Sequence, residues 1–233
     1  RRFWPFLVSL VFTKSTLMAD LVAEKSQARK VIRRLAREYP DADCALVFET
    51  PFQLLIATIL SAQCTDKRVN IVARELFRQY PTVEDLAAIS QKKLEKIVQS
   101  TGFFRNKAKN IRACSQELVD RYGGQVPREM EQLVALAGVG RKTANVVLGT
   151  AFGQAVGVVV DTHVGRISGR LGLTKSKDPV RIERDLMAVL PRKEWIIYSH
   201  RMIHHGRAIC KSRRPLCDEC SMQSICPRIG VQF

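Results

Sequence analysis

Acidic residues are scarce in this chain: 22 Asp and Glu stand against 38 Lys and Arg, for a formal net charge of +16. That deficit predicts attraction to a polyanion, nucleic acid before a membrane surface, with a merely solvated cationic surface as the bland alternative. Long apolar runs are also missing. The longest candidate, residues 3–12 behind Arg1-Arg2, is too short to cross a bilayer as a helix, which takes about 20 residues. Leu17 and Ala19 make a poor cleavage site for a secretory signal, so residues 1–18 are expected to be an extension outside the fold. Low-complexity and Ser/Gly-rich stretches are absent, which argues against disorder, and no internal repeat is evident. Strand signals are few. Only Val156–Val160 is a β-branched run, and it reads equally well as a buried extended segment leading into Asp161.

What remains is helical periodicity. From Ala19, Val22, Val31, Ile32, Leu35 and Ala36 recur on one face of a helix that stops near Tyr39-Pro40. Thr50 before Pro51, Thr82 before Val83 and Ser90 before Gln91 are N-cap signals, and Pro127 is expected just inside a helix reaching Leu136. The prediction is an all-α protein of about ten helices in two lobes. Residues 19–50 with 155–233 would form one lobe, and residues 51–154 the other. A substrate would lie in the groove between them.

Leu136-Ala-Gly-Val-Gly-Arg-Lys-Thr-Ala-Asn145 is the most informative stretch. It sets a glycine-bounded hairpin, within about residues 129–152, before a helix whose first turn carries Lys142. Gly138 and Gly140 let backbone approach a ligand closely, and the N–H groups that open the helix favour a phosphate.

Seven cysteines make an odd count, and four of them crowd the end of the chain as Cys210, Cys217, Cys220 and Cys226. Loops that short would gain little from disulfides, so a metal or cluster suits them better. Only Cys217 and Cys220 form a short pair, which leans away from zinc, while the spacing also differs from that of ferredoxins. Cys44, Cys64 and Cys114 read as ordinary buried thiols in helices.

The hairpin motif through Val147, then Val160-Asp-Thr-His163, then the Cys-x6-Cys-x2-Cys-x5-Cys ending together resemble the endonuclease III family, bifunctional DNA glycosylases of the helix-hairpin-helix superfamily. Pro51–Ala57 and Ser61–Asp66 fit the same pattern, and the likeness runs from about residue 25 to residue 226. The resemblance implies a two-lobed helical fold and a [4Fe–4S] cluster on the four clustered cysteines. It implies excision of oxidised pyrimidines from double-stranded DNA, cleavage at the resulting abasic site, and a monomer working in the cytoplasm on the nucleoid, not at a membrane.

The chemistry can be weighed residue by residue. Base excision coupled to strand cleavage needs a nucleophile that becomes a Schiff base at the sugar C1′, and an amine such as Lys142 does this where water cannot. Only a neutral amine attacks, so desolvation between the lobes, Arg141 and the positive end of the helix would have to favour that form. The plain alternative for Lys142 is a phosphate contact. Asp161 emerges from an apolar run; it is either the N-cap of the next helix or, by family position, the carboxylate that steadies positive charge at the anomeric carbon. By the same resemblance Gln63 enters the vacated base stack, and Phe103 stands where relatives often carry a leucine wedge, with core packing of Phe103 and Phe104 as the alternative. Gly138, Val139, Gly140, Arg141 and Thr143 are candidate phosphate contacts, with His163 in support. Arg213 and Arg214, with Arg201, Arg207 and Lys211, collect positive charge around the cysteine loop. A monofunctional glycosylase and a non-catalytic DNA-binding module are the competing readings.

Overall fold

The computed structural model describes residues 6–232, with side chains at Met18 and from Asp20 onward. Eleven α-helices follow in order: α1 (Phe6–Glu38), α2 (Pro51–Leu60), α3 (Asp66–Gln79), α4 (Val83–Ala88), α5 (Gln91–Val98), α6 (Phe104–Tyr122), α7 (Met130–Val134), α8 (Arg141–Val146), α9 (Thr162–Arg170), α10 (Pro179–Val189) and α11 (Trp195–Ala208). Among the described residues there is no strand, so the all-α expectation holds, and 156–160 is irregular chain with a bend at Val156 and Gly157. No described helix is long and apolar enough to cross a membrane. Residues 1–5 of the expected extension lie outside the described residues, whereas α1 begins at Phe6.

The chain divides into two units, one made of the segment through Asp43 together with everything from Gly157, the other of Cys44–Val156. In the second unit α2 is buried on nearly every face, from Phe52 through Leu60, and forms the centre of an apolar core completed by Leu76, Leu86, Leu94, Ile111, Leu118 and Leu148. Its start is fixed locally: Thr50 accepts a hydrogen bond from the Gln53 N–H at 3.2 Å, with Pro51 at the first helical position. Ser90 caps α5 in the same way, and Thr82 with Asp85 closes a reciprocal capping box on α4. The first unit has its own core around Val31, Leu35, Ile167, Leu186, Tyr198 and Met202.

Three sequence readings need correction. Val22 is 65% exposed. At about 100° per residue it lies roughly half a turn from Val31, and the buried face of α1 runs instead through Leu21, Ala28, Val31 and Leu35. Pro127 does not open α7, which starts only at Met130 because Glu129 is extended (φ −115°, ψ 141°) and the preceding Arg128 lies over the Phe152 ring at 4.9 Å. Cys44 and Cys64 sit half-buried in irregular segments rather than in helices; Cys114 alone of the three is fully buried, on α6, where burial pushes its thiol up to about 12.

Candidate active site

In the second unit, the hairpin between α7 and α8 is seated on α6. Gly138 has φ +75°, and a β-carbon there would come within 2.8 Å of the Asn110 Cβ. Glycine is required twice over, by conformation and by space. The Ala137 N–H donates to Glu117 Oε2 at 2.9 Å, fixing the turn to the same helix seven residues further along. Val139 is buried, and its N–H donates to Leu136 O at 3.1 Å, so it faces the hairpin's own interior. Gly140 caps α8 without a side-chain acceptor, and the first helical bond, from the Ala144 N–H to Gly140 O at 3.0 Å, leaves the N–H groups ahead of it outside the ladder. Arg141 and Lys142 are exposed on that first turn and Thr143 is half-buried. Lys142 therefore reaches solvent within its own unit, and the dry surroundings expected for it are not provided by the unit's own packing. Beyond Val146 the helix widens into a π-turn, Val147–Ala151.

Two further expected residues share an unusual backbone. Gln63 (φ 52°) and Phe103 (φ 46°) are both left-handed, a conformation that costs a non-glycine residue roughly 1–2 kcal/mol. Strain of this kind is kept where surrounding structure holds it, often at functional sites. Phe103 is 68% exposed, so the core-packing alternative fails for it, while Phe104 does pack against the core.

In the first unit, Asp161 is the N-cap of α9, its Oδ1 accepting from the Val164 N–H at 2.8 Å. The local reading is thus correct, and it leaves the carboxylate half-buried with a second oxygen to use. His163 packs against α11 so closely that any side chain at Gly206 would run into its ring. Burial holds the His163 ring below the usual histidine range, with Asp161 opposing and Arg166 and Arg207 adding to the shift. Arg166 bridges to the cysteine loop, lying 3.2 Å from His163 Nδ1 and donating to Cys210 O at 2.9 Å.

Cys210, Cys217, Cys220 and Cys226 all line one pocket, and none is in a disulfide. No three metal-ligating side chains among the described residues converge on one ion. Four soft donors around a shared volume fit a thiolate-bound group larger than a single ion. Arg170, on the apolar register of α9, donates to Cys210 Sγ at 3.2 Å, Lys211 O at 2.7 Å and Ser212 O at 3.0 Å, so the loop is organised by protein contacts as well. Behind it, His205 Nε2 lies 3.7 Å from Cys220 Sγ, and its Nδ1 lies 3.1 Å from the Tyr39 hydroxyl. Lys211, Arg213 and Arg214 project from this loop, all exposed. Arg201 does not join them. It is ion-paired to Glu194 at 3.3 Å and donates to Tyr39 O, so it serves the fold of its own unit.

Lys142 with Gln63, Phe103 and the hairpin belongs to one unit; Asp161, His163 and the cysteine loop belong to the other. Arg170 and Arg166 organise the cysteine loop, and Lys107 donates to Leu60 O and Thr101 O; none of the three stands out as a site residue in the sequence. The available signal was a basic residue on an apolar helical register, as in Lys107-Ala108-Ile111-Cys114 and in Ile167-Arg170-Leu171.

Residues 56–192 match the HhH-GPD superfamily of base excision DNA repair proteins. The chain is 52% identical over 213 residues to endonuclease III of Synechocystis sp., covering 91% of this chain and 97% of that protein. It is 47% identical over 189 residues to endonuclease III of Bacillus subtilis, covering 81% and 86%. Among solved structures it resembles a trapped endonuclease III–DNA covalent intermediate, with 46% identity, a TM-score of 0.84 and coverage of 88% of this chain and 96% of that one. A thermostable thymine-DNA glycosylase at 21% identity and a TM-score of 0.78 shares the fold. Over a span that includes the hairpin, Lys142 and Asp161, the chain belongs to the endonuclease III family of the HhH-GPD superfamily.

Proposed function

We propose that this chain removes oxidised pyrimidines from duplex DNA with Lys142 as nucleophile and then cuts the strand on the 3′ side of the abasic site. The Lys142 amine attacks the sugar C1′ as the bond to the base breaks, and the base leaves with a proton; O4′ then takes a proton as the C1′–O4′ bond breaks and the sugar ring opens to an iminium, which acidifies C2′, whose proton is removed as the C3′–O bond breaks and the 3′ phosphate leaves. Asp161 would carry the electrostatic part, steadying positive charge at the anomeric carbon and moving protons in the later steps. The observation that carries this reading is the position of Lys142, an exposed amine on the first turn of a helix whose cap, Gly140, has no side chain to shield it. Bound DNA would then supply the desolvation that the free protein lacks.

A base inside a duplex is beyond reach of such an amine, so it must be everted, at a cost of a few kcal/mol. Gln63 would fill the vacated position and Phe103 would contact the opposite strand, both presented by backbone already in the left-handed region. The hairpin and Arg213–Arg214 would hold the phosphates on either side. The four clustered cysteines would carry a [4Fe–4S] cluster, which when bound cross-links the loop through four iron–thiolate bonds. Arg170 and Arg166 then hold the loop's carbonyls and aim its basic side chains.

Borohydride reduction tests the scheme. With duplex DNA containing an abasic site, the purified chain should give a covalent protein–DNA adduct that Lys142→Ala loses; absence of any adduct from the unaltered chain would refute an amine mechanism.

A further inference from the structure

Lys107 is charged, yet it occupies a core position on α6 and is only 4% exposed. In place of a carboxylate, its ammonium group donates to two main-chain carbonyls, Leu60 O at 2.8 Å and Thr101 O at 2.7 Å. Burying an ammonium against neutral acceptors is costly, and burial pushes Lys107 below the ordinary lysine range, with Cys64 opposing. An apolar residue of the same length would fill the space. What lysine adds is a bond to two places that lie far apart in the sequence.

Those two places are alike. Leu60 is the last residue of α2, and Thr101 ends a 3-10 turn, Gln99–Thr101, so each carbonyl sits at the electronegative end of a helical segment, where a cation is favourable. Just beyond Leu60 comes Gln63, and just beyond Thr101 comes Phe103, both exposed and both left-handed. The Lys107 main-chain N–H also donates to Phe103 O at 3.1 Å. One residue thus joins the roots of both loops. Ser61 and Thr101 tighten each root further, their hydroxyls donating to Thr58 O and Val98 O, both at 2.8 Å.

We infer that Lys107 is a positioning residue for base eversion, fixing the spacing and aim of the Gln63 and Phe103 loops so that both tips enter the base stack together. The inference rests on the reading of Gln63 and Phe103 as the stack-entering pair. Two loops that move independently would have to be ordered at the moment of insertion; tied at their roots, they arrive ordered.

The test compares Lys107→Met, Gln63→Ala/Phe103→Ala and the triple variant with the unaltered chain, each loaded as purified. Three readouts are taken: fluorescence of 2-aminopurine beside a lesion in duplex DNA, excision from that duplex, and borohydride trapping on an abasic site in a single strand, where there is no duplex to open. Lys107→Met should lose about ten-fold or more in the two duplex readouts and stay within about two-fold in single-strand trapping. Added to Gln63→Ala/Phe103→Ala it should cost no more than about two-fold again, because the groups it positions are gone. Parallel losses in all three readouts would reduce Lys107 to a structural residue and overturn the inference, as would full additivity in the triple variant. If Gln63→Ala/Phe103→Ala opens duplex normally, the reading of the two loops is what fails; if that protein is impaired and Lys107→Met is not, the lysine inference alone fails. Should Lys107→Met not fold, Lys107→Gln, which keeps an amide donor, enters the same comparison, with a smaller duplex-selective loss expected and a uniform loss decisive against it.

Discussion

Replacing Gly138 with alanine should damage the hairpin far more than the same change two residues away. At Gly138 the backbone has φ +75°, and an added β-carbon would stand 2.8 Å from the Asn110 Cβ, inside van der Waals contact and against a side chain rooted on α6. The left-handed conformation costs a non-glycine residue about 1–2 kcal/mol. Overpacking adds about 1–3 kcal/mol. Together the change should cost about 2–5 kcal/mol, a large part of a typical domain stability of about 5–15 kcal/mol. Gly140 has φ −92° and nothing within 4 Å of the added carbon, so Gly140→Ala should cost no more than about 1 kcal/mol, the loss of a tolerated N-cap. Urea denaturation of the two variants gives the comparison, and Asn110→Gly placed on Gly138→Ala should recover the packing part while leaving the conformational part. Duplex affinity should fall with the hairpin, in Gly138→Ala first. Equal stability of Gly138→Ala and Gly140→Ala would refute the account of the turn as glycine-dependent through φ and Asn110.

Other expectations follow from the same geometry. Asp161→Asn should keep its helix cap, since asparagine caps as well as aspartate, and so leave thermal stability within about 0.5 kcal/mol while removing most base release; full activity would take the carboxylate out of the chemistry. Arg213→Ala with Arg214→Ala should weaken binding to all sequences alike and lower the slope of log affinity against log salt by about 2, whereas a loss confined to one lesion would contradict phosphate contact. Burial lowers the His200 pKa, with Asp43 opposing and His204 assisting. The unfolded chain therefore binds a proton more readily, and stability should fall as pH drops from about 6.5 through the folded value, an effect that His200→Gln should diminish in thermal melts at pH 5 and 7.5.

The parts of the molecule that could be read from the sequence are those whose causes are local. Thr50, Thr82 and Ser90 announce helices because a capping hydroxyl reaches an N–H only three residues ahead. The glycine hairpin with Lys142 is likewise written within a few residues, and so, separately, is the Asp161 cap. Where the cause lies elsewhere in the chain, reading fails. Val22 looked like a core residue until the helical phase was set by Leu21, Ala28 and Leu35. Arg201 looked like a phosphate contact, but Glu194 and Tyr39 O claim it. The sequence pointed to Phe103 without choosing between wedge and core; the fold, which turns it outward beside a half-buried Phe104, removes the core alternative. Lys107 and Arg170 were hidden for the same reason, since their acceptors are main-chain carbonyls that composition and spacing do not mark.

The central claim is that one particular amine bonds to the sugar. Proteolysis and mass spectrometry of the borohydride-reduced adduct with abasic duplex DNA test it most directly. The account predicts the cross-linked nucleotide on the peptide containing Lys142, whereas a modification on any other lysine, or on the N-terminal amine, would contradict it.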